Sequence, residues 1–167
     1  MGGSIVYARA RHAHLLRSGG RNVVEHATFD SALTALRRAL NDLLNGTAGP
    51  VRALWSQSDD VTIANPFGPP RRGQVDVTEA IDAAAGQYQS GVREFVELAR
   101  FSTDDLGYVV QIEHTTARAA GTGRQLSFAL RTTTILRREH AAWKLVHRHA
   151  DPLTGERSLD TFAEPAR

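Results

Sequence analysis

The chain has 167 residues, 41% of them hydrophobic and 23% charged, which suits one domain with its own core and excludes a disordered chain. It has no cysteine, so disulfides, thiolate metal sites and a cysteine nucleophile are excluded. The net charge is only +2 and its basic excess lies in the first residues, which argues against a nucleic-acid partner for the body of the chain.

Residues 1–27 read as a flexible basic arm. Arg9, Arg11, Arg17 and Arg21 occur there before any acid, and taking these four charges from +2 leaves the rest of the chain at −2. Gly19-Gly20 marks where the arm detaches. A targeting peptide and a segment touching an anionic surface are the other readings of its composition. It lacks the long apolar stretch of a secretory signal, and no apolar run nears the roughly 20 residues of a membrane span, so a cytoplasmic protein without membrane contact is expected.

Phe29, Leu33, Leu36, Leu40, Leu43 and Leu44 recur at helical spacing, with Asp30 or Ser31 as N-cap and Asn45-Gly46 as the stop. Pro50 opens a short second helix through Leu54 and Trp55. Val61–Asn65 reads as a strand, followed by a rigid loop over 67–73. Val77, Ile81, Ala84, Ala85 and Tyr88 form the stripe of a third helix. Four strands follow, at about 92–103, 107–118, 125–138 and 142–150, with turns at Asp104–Gly107 and Gly121–Gly123. The expected fold is α+β: a curved, mostly antiparallel sheet wrapping three helices and leaving a pocket at one end.

Three passages carry a family resemblance: Leu54-Trp55-Ser56-Gln57-Ser58-Asp59-Asp60-Val61-Thr62, then Asn65-Pro66-Phe67-Gly68-Pro69-Pro70-Arg71-Arg72-Gly73, then Leu136–Glu139 with Trp143–His149. In that order, they resemble the nuclear transport factor 2-like superfamily, in its SnoaL-like and ketosteroid-isomerase-like branch. The likeness spans residues 28–152, leaving 153–167 as a C-terminal tail. It implies a cystatin-like cone, a small-molecule pocket and a homodimer. In ketosteroid isomerases an aspartate before the proline-glycine loop shuttles the proton; Asn65 stands there in this chain. An amide cannot accept that proton at neutral pH, so the steroid isomerase mechanism is not expected.

Histidine and carboxylate positions supply the candidate chemistry. His147 and His149 alternate with Trp143 on one strand face, as an acid/base or anion-holding pair, or as hydrogen-bonded structural residues. Glu113 and His114 point to opposite faces of their strand. If Glu113 faces the pocket, burial raises its pKa and makes it a base; if His114 does, the glutamate is a solvated neighbour. Arg131 binds a carboxylate ligand or pairs with an acid, for which Glu113 is the natural partner. Epoxide hydrolases of this fold link two acids through an arginine. Asn65, Arg131, Glu113 and Asp151 offer part of that set without its Arg-x-Asp spacing. Trp55, Phe67 and Tyr88 are candidate pocket or core walls. The histidines have no established metal-ligand spacing, so no metal and no cofactor are expected.

Two readings stay open. One is a cofactor-independent isomerase, cyclase or hydrolase acting on a small carbonyl or polyketide-like compound through Asn65, Glu113 or His114, and His149. On that reading His149→Ala abolishes turnover and leaves the fold intact. The other is a non-catalytic small-ligand module in which Arg131 and the histidines hold an anion.

Overall fold

The computed structural model describes residues 26–155. The expectations for the basic arm over 1–25 and for the tail over 156–167 lie outside the described residues. The order is α1 (Phe29–Leu43), α2 (Gly49–Leu54), β1 (Thr62–Ala64), β2 (Arg71–Arg72), α3 (Gln74–Ala85), β3 (Tyr88–Ser102), β4 (Leu106–Ala119), β5 (Gln125–Glu139) and β6 (Ala142–Pro152).

Helix α1 starts at Phe29, the first residue of its apolar stripe, two or three residues before a cap at Asp30 or Ser31 would allow. Thr28 is the N-cap: its hydroxyl accepts from the Ser31 amide at 3.1 Å while the Ser31 hydroxyl accepts from the Thr28 amide at 3.2 Å. This reciprocal box outcompetes Asp30 and Ser31 as caps. Gly46, at φ +79°, turns the chain out of the helix in the left-handed conformation glycine tolerates. Phe29, Leu33, Leu36, Leu40 and Leu43 are all buried. Pro50 lies in the first turn of α2, where its missing amide hydrogen costs nothing.

Two local expectations are corrected. Arg71 and Arg72, read as loop, pair antiparallel with Ile63 and Thr62 and add a two-residue strand. Tyr88 does not extend the α3 stripe; the helix closes at Ala85 with Gly86 as C-cap, and Tyr88 opens β3. Glycine at 86 removes the helix preference just where the next residues are needed for pairing with β4.

The six strands form one sheet in the order β2-β1-β6-β5-β4-β3. Among the described strands β1 and β6 run parallel and the other pairings are antiparallel. Among the described residues the sheet stays open, with β2 and β3 as its edges. The three helices lie against one face, so strand residues alternate between a buried inner face and an outer face. The core joins the α1 stripe to Val51, Leu54, Trp55, Val77 and Ile81 from the helical side and to Val109, Leu136, Trp143 and Leu145 from the sheet. Phe29 meets Trp143 edge-on at 5.4 Å between ring centroids.

Candidate ligand-binding site

Alternation along β4 turns Val109, Gln111, Glu113, Thr115 and Ala117 inward, and all five are buried. His114 therefore faces out and is exposed. Of the two alternatives at this strand, Glu113 is the inner residue, with a side chain 0% exposed.

Its environment is the reverse of the one that makes a base. Arg148 donates to both carboxylate oxygens, Nη1 to Oε1 and Nη2 to Oε2, each at 2.9 Å. Arg93 Nη1 approaches Oε2 at 3.1 Å. Gln111 Nε2 and Thr132 Oγ1 both donate to Oε1 at 3.1 Å. Burial pushes the carboxyl pKa up, but the charge and hydrogen bonds of Arg148, the charge of Arg93 and the hydrogen bond of Gln111 outweigh it and hold it at about 2. The expected rise is corrected to a fall because burial here comes with two cations.

The expected partner is corrected too. Arg131 lies on the outer face, more than half exposed, and pairs with Asp151 on β6 instead of Glu113. Arg148, between the two histidines, takes the place assigned to Arg131. The cause is a β-bulge. Ile135 pairs with His147 and Leu136 with Leu145, which leaves Val146 as an extra residue in β6. Strict alternation from Trp143 would send His147 and His149 inward and Arg148 outward. The bulge resets the pattern, so Trp143, Leu145 and Arg148 are buried while His149 is exposed. His147 is bound at 2.7 Å to the Thr62 hydroxyl across β1, and burial followed by the nearby His149 lowers its pKa. His147 and His149 thus share a face with each other but not with Trp143, and neither lines the clefts described next. His149→Ala would act on the outer face, away from these clefts.

A small chamber of about 50 Å³ is lined by Asn65, Tyr88, Arg93, Leu130 and Arg148 among others. It shares Pro66, Phe67, Tyr88 and Leu130 with a wider cleft of about 850 Å³ between the α3–β3 junction, the β4–β5 turn and the start of β5. Leu126 and Phe128 continue the apolar wall of that cleft, and Arg124 lies at its polar edge. Phe67 is 60% exposed on the loop after β1. Tyr88 is buried, and burial raises its phenol pKa, so it is a neutral hydroxyl here.

Asn65, Phe67 and Tyr88 thus come together at one place. Trp55 does not; it is a core residue whose Nε1 has no hydrogen-bond partner among the described residues. Sequence reasoning missed Arg93 and Arg148. Arg93 carries a signal in retrospect, because it alternates with Phe95 on an amphipathic strand, and its Nε donates to Thr115 at 3.0 Å. Arg148 carried none, since the bulge that turns it inward leaves no mark in the spacing. Among the described residues no three His, Asp or Glu side chains converge as a metal-ligand set.

The model of a SnoaL-like domain family matches residues 33–153. In three dimensions the chain is similar to a candidate calcium/calmodulin-dependent protein kinase type II association domain from Thiobacillus denitrificans ATCC 25259. The two share 21% identity and a TM-score of 0.66, over 78% of this chain and 98% of that one. A ketosteroid isomerase-like protein from Erwinia carotovora atroseptica is similar at 16% identity and TM-score 0.64, over 75% of this chain and 93% of that one. The hexachlorocyclohexane dehydrochlorinase LinA-type3 from Novosphingobium barchaimii LL02 is similar at 13% identity and TM-score 0.58, over 78% and 93%. At such identities the likeness establishes a shared fold, and fold does not carry activity with it. No curated protein matches the chain in sequence.

Proposed function

This chain belongs to the family of SnoaL-like domains, and we propose that it is a small-molecule binding module whose ligand enters the wide cleft and reaches the chamber between Asn65, Tyr88, Arg93 and Arg148. The observation that carries this reading is the chemistry of the chamber. Its polar lining among the described residues is an amide, a phenol and two guanidiniums, with no histidine and no carboxylate. The nearest inner carboxylate, Glu113, is closed off by both arginines and has a pKa of about 2, too low for an efficient general base. Among the described residues, hydrogen-bond donors line the chamber and no proton-accepting side chain does.

A second reading keeps the same pocket and adds turnover. Arg93, Arg148 and the Asn65 amide are donors able to polarise a carbonyl oxygen, the electrostatic half of an isomerase or cyclase. The fold shared with a dehydrochlorinase and with a ketosteroid isomerase-like protein supports keeping this reading. Under it, the proton would move through solvent in the open cleft.

Native mass spectrometry of the purified protein, followed by the same sample denatured, tests the pocket. A discrete small molecule released on denaturation is the expected result, and it supplies a mass to identify. If no such molecule is found, titration with candidate ligands over a pH series separates the two readings. Binding that alone responds to pH, without turnover, favours the module; an ionisation that governs turnover but not binding favours the enzyme.

A further inference from the structure

The ligand class follows from how charge is distributed at the bottom of the pocket. Two guanidiniums, 5% and 7% exposed, face a single carboxylate, so the buried cluster carries a net charge of +1. An uncompensated charge in such surroundings is costly unless an anion joins it. The hydrogen bonding is incomplete in the same sense. Arg148 spends Nη1 and Nη2 on Glu113, and Arg93 spends Nε on Thr115 and Nη1 on Glu113. Arg148 Nε and Arg93 Nη2 have no hydrogen-bond partner among the described residues, and both side chains line the chamber.

We propose that the site takes an organic monocarboxylate, with its headgroup between Arg93 and Arg148 and its apolar remainder along the wide cleft. This rests on the pocket reading above and adds the identity of the group that binds deepest. A planar fork matches a carboxylate in shape as well as charge, which a lysine pair would not. The chamber of about 50 Å³ has room for about three or four water-sized groups, the size of a carboxylate and its neighbouring carbon. Beyond it the wall turns apolar, through Leu130, Phe128, Leu126, Tyr88, Phe67 and Pro66, so a bare inorganic anion would leave most of the cleft unused. A dianion would overshoot the single positive charge available.

The test uses the full chain and three probes by titration calorimetry at neutral pH: octanoate, 1-octanol and inorganic phosphate. Octanoate is expected to bind at least ten-fold more tightly than octanol, and phosphate not to displace it. Arg93→Gln is expected to weaken octanoate by ten-fold or more and to leave octanol unchanged, with circular dichroism confirming the fold. The ratio of octanoate to octanol on the unaltered protein decides the matter even if that variant does not fold. Equal affinity for acid and alcohol overturns the carboxylate assignment and leaves an apolar pocket standing. Competitive displacement by phosphate also overturns it, in favour of an inorganic-anion site. No binding of any probe overturns both this assignment and the pocket reading beneath it.

Discussion

Glu113 illustrates how one side chain reverses role when its neighbours are included. Desolvation alone would make it a proton acceptor near neutrality; Arg148 and Arg93 make it a permanent anion that ties three strands together. Because its folded pKa lies below the ordinary 4.5, its ionised form stabilises the fold in full above pH 4.5 and loses that contribution as pH falls through about 2. We therefore expect stability to drop between about pH 4.5 and 2, measured by urea unfolding at stepped pH. In Glu113→Gln the drop should be shallower. Removing one cation is a harsher change. Arg148→Gln removes the paired hydrogen bonds to both carboxylate oxygens but leaves Arg93 as counter-charge, and is expected to cost about 1.5–3 kcal/mol at neutral pH in the same assay.

Among the elements, β3 and β4 show the tightest constraint on substitution. Gly91 pairs with Ala117, and a Cβ at Gly91 would lie 2.8 Å from the Ala117 Cβ and 2.9 Å from the Thr116 carbonyl oxygen. Neither atom belongs to a flexible side chain, so relief requires the two strands to part. Gly91→Ala is expected to destabilise by about 1–3 kcal/mol, read as a lower urea midpoint at an unchanged slope. The bulge at Val146 is the other element-scale device. One extra residue in β6 decides which of three successive side chains faces the chamber, and the choice falls on arginine. A histidine there would have supported acid/base chemistry; the arginine supports anion binding.

At the scale of the whole molecule, the outer face of β3 and the start of β4 exposes several large apolar side chains to water. Val92, Val96, Phe101, Leu106 and Tyr108 are all exposed on that side of β3 and β4, with Phe101 and Tyr108 in ring contact at 6.2 Å. A patch of this kind on a sheet marks an association surface more often than a free one. The homodimer that the family resemblance implies would cover it, since a two-fold pair buries the same residues on both sides. Light scattering after gel filtration should give a dimer. Val96→Arg should shift it to monomer with the circular dichroism spectrum unchanged. A monomeric unaltered protein would sink the homodimer.

Periodicity made most of the fold legible. The α1 stripe, Pro50 in α2 and the alternating runs of β4 to β6 follow from local rules that act within a few residues: helical spacing, strand alternation and turn chemistry. β2 escaped because two exposed arginines become a strand only by pairing with β1, and Tyr88 escaped because strand pairing overrode a helical spacing. Asn65 and Phe67 were marked by their place at the proline-glycine loop and Tyr88 by its aromatic ring at the end of the α3 stripe, and the three lie together at the chamber. Arg93 was passed over although it alternates with Phe95, whereas Arg148 was missed and His147 and His149 were grouped on one face with Trp143 because facing in β6 depends on a register shift against β5 that no local pattern encodes. The sequence by itself determined every element except β2, their order and the family likeness. Tertiary structure alone decided which charges share the dry interior, since that rests on strand register and on contacts between residues 20 to 35 positions apart.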